Sequence, residues 1–125
     1  MIVVVAAVIE ENGAFLVTRR HAGAHLAGLW EFPGGKIDPP ETHAQALRRE
    51  IREELATDVI VKELVFYTAH EYAERTLTLY FYRCELVGEP RPQLGQEMQW
   101  VPKAKLATLG FPPADEHLIR KLLEA

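Results

Sequence analysis

Three acidic residues, Glu50, Glu53 and Glu54, stand at positions i, i+3 and i+4 of one another. On a helix that spacing gathers them on one face, within about 100° of arc. Like charges so placed repel by a few tenths of a kcal/mol per pair. Clustered carboxylates suit a hard divalent cation, Mg²⁺ or Mn²⁺, which binds through a few carboxylates, water and the phosphates of a substrate. By themselves the same acids fit a solvated helix face better, with Arg48, Arg49 and Arg52 pairing with them.

A helix must carry these acids. The sequence predicts one from about Thr42 to Leu55, opened by a capping-box pattern at Thr42 and Gln45 and given an apolar stripe by Leu47, Ile51 and Leu55. Before it, residues 2–10 and 14–19 read as strands joined through Asn12-Gly13, a strong hairpin signal. Trp30-Glu31-Phe32 reads as a short strand ending at Pro33-Gly34-Gly35. Beyond the helix, Val59–Tyr72 and Thr76–Glu85 read as a second strand pair, and Gln96–Val101 as a further strand. A short helix is expected near Lys103–Leu106 and a last one from about Ala114 to Leu123, after Pro112-Pro113. Strands and helices mix without regular βαβ alternation, which predicts an α+β fold with helices packed on a mixed sheet.

The chain has 125 residues, 48% hydrophobic and 26% charged, which fits one soluble domain spanning 1–125. Its net charge of −4 argues against a partner that is a nucleic-acid polymer. A small phosphorylated substrate remains compatible, because a bound cation reverses the local sign. The single Cys84 excludes an intrachain disulfide and reads as a small buried hydrophobe. The apolar run at residues 1–9 is too short to span a membrane and reads as a buried strand, so a cytoplasmic protein without membrane partners is expected.

Read from Gly35, the chain gives Gly-x5-Glu41-x7-Arg49-Glu50-Ile51-x-Glu53-Glu54. Six fixed residues, those of the run other than Ile51, each used at about 6%, would coincide by chance on the order of once per ten million starts. This run resembles the signature box of the Nudix hydrolases. The likeness to their MutT-like branch extends over nearly the whole chain, through Thr18-Arg19-Arg20, through Ala24–Gly35 and through Phe111-Pro112-Pro113-Ala114-Asp115-Glu116.

The resemblance implies a Nudix fold, an α/β/α sandwich with a mixed β-sheet, and an Mg²⁺-dependent cleavage of a nucleoside triphosphate into a monophosphate and pyrophosphate. Mn²⁺ would be a substitute. It implies that the Gly35 carbonyl and the carboxylates of Glu50, Glu53 and Glu54 hold divalent ions. Glu50 would be the general base or a base and ligand together, and Glu53 the most direct ligand. Arg49 would orient a glutamate, and Glu41 would support the loop. Arg20 would contact phosphate, and His25, Glu31 and Asp115 would lie at the nucleotide. Trp30 and Phe32 read as packing residues. The best-known substrate of the branch is 8-oxo-dGTP. A pyrophosphohydrolase of CTP, dCTP or 5-methyl-dCTP is the neighbouring reading, and a non-catalytic nucleotide sensor is one from another class. The chain would act as a monomer or a homodimer.

Five departures from the family pattern mark places to look. Ala56 stands where Gly is usual, and an Ala forced to positive φ there would be strained by about 1 kcal/mol or more. Thr57 replaces an aliphatic residue, and Pro39-Pro40 replaces the usual x-Gly before Glu41. Leu94 occupies the place of a frequent metal-binding Glu, and Glu97, three residues before Trp100, is a candidate to take over as ligand. At Asp115 the branch is known to use Asn, which both donates and accepts, whereas an ionised Asp only accepts.

Overall fold

The computed structural model describes residues 2–19 and 28–124. Arg20 and His25, two of the expected substrate contacts, lie outside the described residues. The elements are strands β1 (Ile2–Val8), β2 (Glu10–Glu11), β3 (Ala14–Arg19), β4 (Trp30–Glu31) and β5 (Gly34–Lys36), helix α1 (His43–Leu55), strands β6 (Val59–Tyr72), β7 (Arg75–Leu86) and β8 (Glu97–Pro102), and helix α2 (Glu116–Glu124). Short 3₁₀ turns at Lys103–Thr108 and Pro113–Asp115 link β8 to α2. The predicted hairpin forms: Asn12 and Gly13 take φ of 53° and 79°, the left-handed pair that a tight turn between twisted strands requires.

The strands make two sheets. One runs β5-β1-β7-β6, with β1 parallel to β7 and the other pairs antiparallel. The other has β3 at its centre, paired with β2, β4 and β8. The sheet is therefore mixed, as expected for an α+β fold.

Alternation along β1, carried one residue beyond it to Ile9, builds two cores. Val5, Ala7 and Ile9 pack with Leu47, Ile51 and Leu55 of α1, whereas Ala6 and Val8 join Phe81, Leu118 and Leu122 on the side of α2. Trp30 and Phe32 are buried in the α2-side core, as their packing role predicted, and Cys84 is buried in the α1-side core. Burial pushes the Cys84 thiol up to about 12. Among the described residues no helix is long and apolar enough to cross a membrane.

Two predicted elements differ. The strand read over Trp30-Glu31-Phe32 stops at Glu31, and within Pro33-Gly34-Gly35, expected only to end it, a separate strand, β5, begins at Gly34. Its Gly34 lies so close to β1 that a Cβ there would stand 2.0 Å from the Val5 carbonyl oxygen. Pairing with β1, fixed by Val4↔Lys36, Val5↔Gly35 and Ala6↔Gly34, makes this glycine pair a strand despite its poor propensity. The last helix starts at Glu116, two residues later than predicted, because Pro113–Asp115 winds as a 3₁₀ turn.

Candidate active site on the first helix

Helix α1 begins with the capping box read from the sequence. The Gln45 amide donates to Thr42 Oγ1 at 3.1 Å, and the Thr42 amide donates to Gln45 Oε1 at 2.9 Å. Its apolar stripe is fully buried, which fixes the rotation of the helix and hence the aim of its acids.

The three glutamates do not share one environment. Glu54 is buried at 9% exposure, Glu50 has a side chain 16% exposed, and Glu53 is 57% exposed. Glu50 lies against β5: a Cβ on Gly35 would come within 2.5 Å of its carboxyl group. Glycine at 35 is thus what admits the carboxylate to the strand backbone. Glu54 is pushed up to about 9, first by burial, then by its hydrogen bond with Glu50 and the Glu50 charge, and further by Glu31; the Gly34 amide opposes the shift. The charged neighbours acting on it are both acids, so without a cation it is protonated at neutral pH.

Arg49 organises the group. It grips Glu41 with two bonds, Nε to Oε2 at 2.7 Å and Nη2 to Oε1 at 3.0 Å. Its Nη1 donates to Glu50 Oε1 at 2.9 Å and, at 3.4 Å, to Glu53 Oε2. Nη2 also donates to the Lys36 carbonyl at 3.0 Å, tying the helix to β5. These bonds to anions raise the Arg49 pKa and lower that of Glu41, whose Oε1 also accepts from the Asp38 amide at 2.9 Å. Glu41 therefore braces the loop before the helix.

A cavity of about 290 Å³ opens beside this group on the α2 side of the sheet. Glu31 and Asp115, both expected at the nucleotide, line it together with Gly35, Phe32, Leu79 and Phe81. Asp115 is buried, at 5% exposure. Sequence reading missed Leu79 and Phe81, whose strand alternation marks them as inward-facing but cannot tell a core from a cavity wall. The cavity reaches Gly35, where the Glu50–Glu54 pair begins, so a ligand held by its ring in the cavity would present its tail to the carboxylates.

The donor set suits a hard divalent ion. Glu50, Glu54 and the Gly35 carbonyl offer only oxygen, and the carboxyl pair holds a proton where a cation would offset both charges. Glu53 stands apart from the pair; among the described residues no three acidic, His or Cys side chains converge on one point. Engaging all three glutamates would need Glu53 to turn from Arg49, a weak 3.4 Å contact. Glu97, the remaining candidate ligand, stands at the start of β8. It ion-pairs with Arg19 at 3.7 Å and shares its side of β8 with Val101, in the core away from α1.

The family model for the NUDIX domain matches residues 4–121. The chain belongs to the Nudix family. It is 40% identical over 114 residues to the 8-oxo-dGTP diphosphatase of Escherichia coli K12, covering 90% of this chain and 88% of that one. It is 36% identical over 124 residues to the CTP pyrophosphohydrolase of the same organism, covering 98% and 92%. Its fold is similar to the solution structure of the E. coli ORF135 protein, with a TM-score of 0.89 and 36% identity over 99% of this chain and 89% of that one. As a Nudix hydrolase it acts on phosphoric anhydrides, and the family generally uses divalent metal.

Proposed function

We propose that this Nudix hydrolase is an Mg²⁺-dependent nucleoside triphosphate pyrophosphohydrolase that converts an oxidised deoxynucleotide such as 8-oxo-dGTP to its monophosphate and pyrophosphate. The observation that carries the reading is the buried Glu54 beside Glu50, which packs against Gly35 at the edge of a cavity lined by Gly35, Glu31 and Asp115. The resemblance to an 8-oxo-dGTP diphosphatase over most of both chains supports the substrate class.

In this reading Glu50, Glu53, Glu54 and the Gly35 carbonyl hold Mg²⁺. When bound, the ion offsets the charge of the polyphosphate and makes water more acidic. Glu50 takes the proton of the attacking water. Arg49 fixes the Glu50 carboxylate, and Glu41 fixes Arg49. Glu31 and Asp115 orient the base, with His25 beside it and Arg20 on a phosphate. Glu97 keeps its pair with Arg19 and takes no part.

The CTP pyrophosphohydrolase, similar over nearly the whole chain, favours a second reading. Buried Asp115 fits both, since a carboxylate accepts from an exocyclic amine and both cytosine and guanine carry one. A turnover screen over canonical, oxidised and methylated triphosphates, with product identification, separates the two. Highest kcat/KM on 8-oxo-dGTP supports the first reading and highest on a cytosine nucleotide the second. Glu53→Gln should lower Mg²⁺-dependent pyrophosphate release at least about 100-fold, beyond what loss of an outer partner of a metal ligand costs. Equal activity in that variant refutes the metal assignment.

A further inference from the structure

The last turn of α1 carries Glu53 and Glu54, and its carbonyls face away from the next helical residue with no helical donor to meet them. The Ala56 amide donates to Arg52 O at 3.0 Å, and the chain then leaves the helix. The remaining donors come from the segment that leads into β8. The Arg91 amide donates to Leu55 O at 2.7 Å, and the Gln93 amide to Glu54 O at 2.9 Å. One side chain joins them: Gln96 Nε2 donates to the same Glu54 carbonyl at 3.0 Å. The other end of that amide is also engaged, since Gln96 Oε1 accepts from the Leu94 amide at 2.8 Å. Gln96 is half-buried and directly precedes β8, two residues before Met98, which packs on the α1-side core. A single planar amide therefore ties the 91–96 segment to the peptide unit of a glutamate that Proposed function assigns to the metal.

We propose that Gln96 is a positioning residue: it fixes the final turn of α1, and with it the carboxyl group of Glu54 beside Glu50. Main-chain donors alone would hold this helix end loosely, because the 91–96 segment is exposed apart from Gln96 itself. The side-chain amide locks the segment's own turn and the helix carbonyl at once. The inference rests on the reading of Glu54 as a metal ligand.

The experiment uses the full chain and Mn²⁺ alone, without nucleotide. Free Mn²⁺ is counted by electron paramagnetic resonance for wild type, Gln96→Met and Gln93→Ala. Gln96→Met keeps the length of the side chain and loses both bonds. Gln93→Ala leaves its main-chain donor in place. Gln96→Met should weaken Mn²⁺ binding by about threefold to tenfold, at or below the low end of what outer partners of metal ligands contribute. Gln93→Ala should bind as wild type does. In turnover, the Mg²⁺ concentration for half-maximal rate should rise in Gln96→Met with the nucleotide KM little changed. A variant that unfolds more readily but binds Mn²⁺ as tightly as wild type shows a merely structural Gln96 and overturns the proposal. If wild type itself binds no Mn²⁺ and releases no pyrophosphate, Proposed function fails, and this inference with it; if wild type does both and Gln96→Met matches it, this inference alone fails.

Discussion

Replacing Ala56 by glycine should make the protein more stable. Ala56 closes α1 with φ 54° and ψ 33°, a left-handed conformation in which a β-carbon crowds the following carbonyl. That conformation costs an L-residue about 1–2 kcal/mol. Glycine removes the cost but adds freedom to the unfolded chain, worth about 0.4–1 kcal/mol in the other direction. Ala56 is exposed, so no buried methyl contact is lost. The balance is a gain of about 0.8 kcal/mol, within limits of about 0 and 1.6 kcal/mol. With a urea slope of about 1.5 kcal/mol per molar, the midpoint should rise by about 0.5 M at constant slope. Ala56→Val should move it the other way, because a β-branched residue at positive φ is a stronger outlier. Equilibrium urea unfolding of the three proteins is the assay. A glycine variant no more stable than wild type, together with a valine variant equal to it, would refute the strained helix end.

Without divalent ions Glu54 titrates near 9 in the folded chain, against 4.5 for the ordinary carboxyl group. A raised folded value gives a contribution that is complete below the ordinary pKa and is lost as pH climbs through the folded one. Urea midpoints in chelator should therefore fall between about pH 5 and about pH 9, and Glu54→Gln should lack that fall; a flat wild-type profile rejects the shift. Arg49→Lys replaces a fork by a point charge that cannot span Glu41, Glu50 and the Lys36 carbonyl together. Steady-state kinetics should show kcat down about 10–100-fold, and an undiminished kcat refutes the orienting role. Gly34→Ala would force a Cβ to 2.0 Å from the Val5 carbonyl oxygen. It should cost about 3 kcal/mol or more in urea unfolding, the top of the overpacking range, and a variant as stable as wild type would contradict the close β5–β1 approach.

Local signals were legible in the sequence where local physics decides them. Asn12-Gly13 makes its turn, and Thr42 with Gln45 makes its capping box, because each rests on neighbours a few residues away. The acid spacing correctly put Glu50, Glu53 and Glu54 on one arc. It could not tell that the arc straddles the rim of the core, leaving Glu54 buried and Glu53 in solvent. That difference depends on where β5 lies, and β5 is a strand only because β1 offers it an edge. Its distance from Trp100 singled out Glu97 but not its ion-pair partner, Arg19, which the neighbouring strand β3 brings opposite it. The parallel β1–β7 pairing joins segments far apart in sequence, and periodicity within either strand carries no record of it.

Peroxide attacks sulfur mainly as thiolate, and the only thiol in this chain is Cys84. At 2% exposure, with its ionisation held off until about 12, it presents almost no thiolate in neutral solution. The oxidants that would damage guanine in a nucleotide pool thus find no easily inactivated sulfhydryl here. Such a hydrolase can keep working through the conditions that create its proposed substrate, without depending on a reductase for repair of that residue.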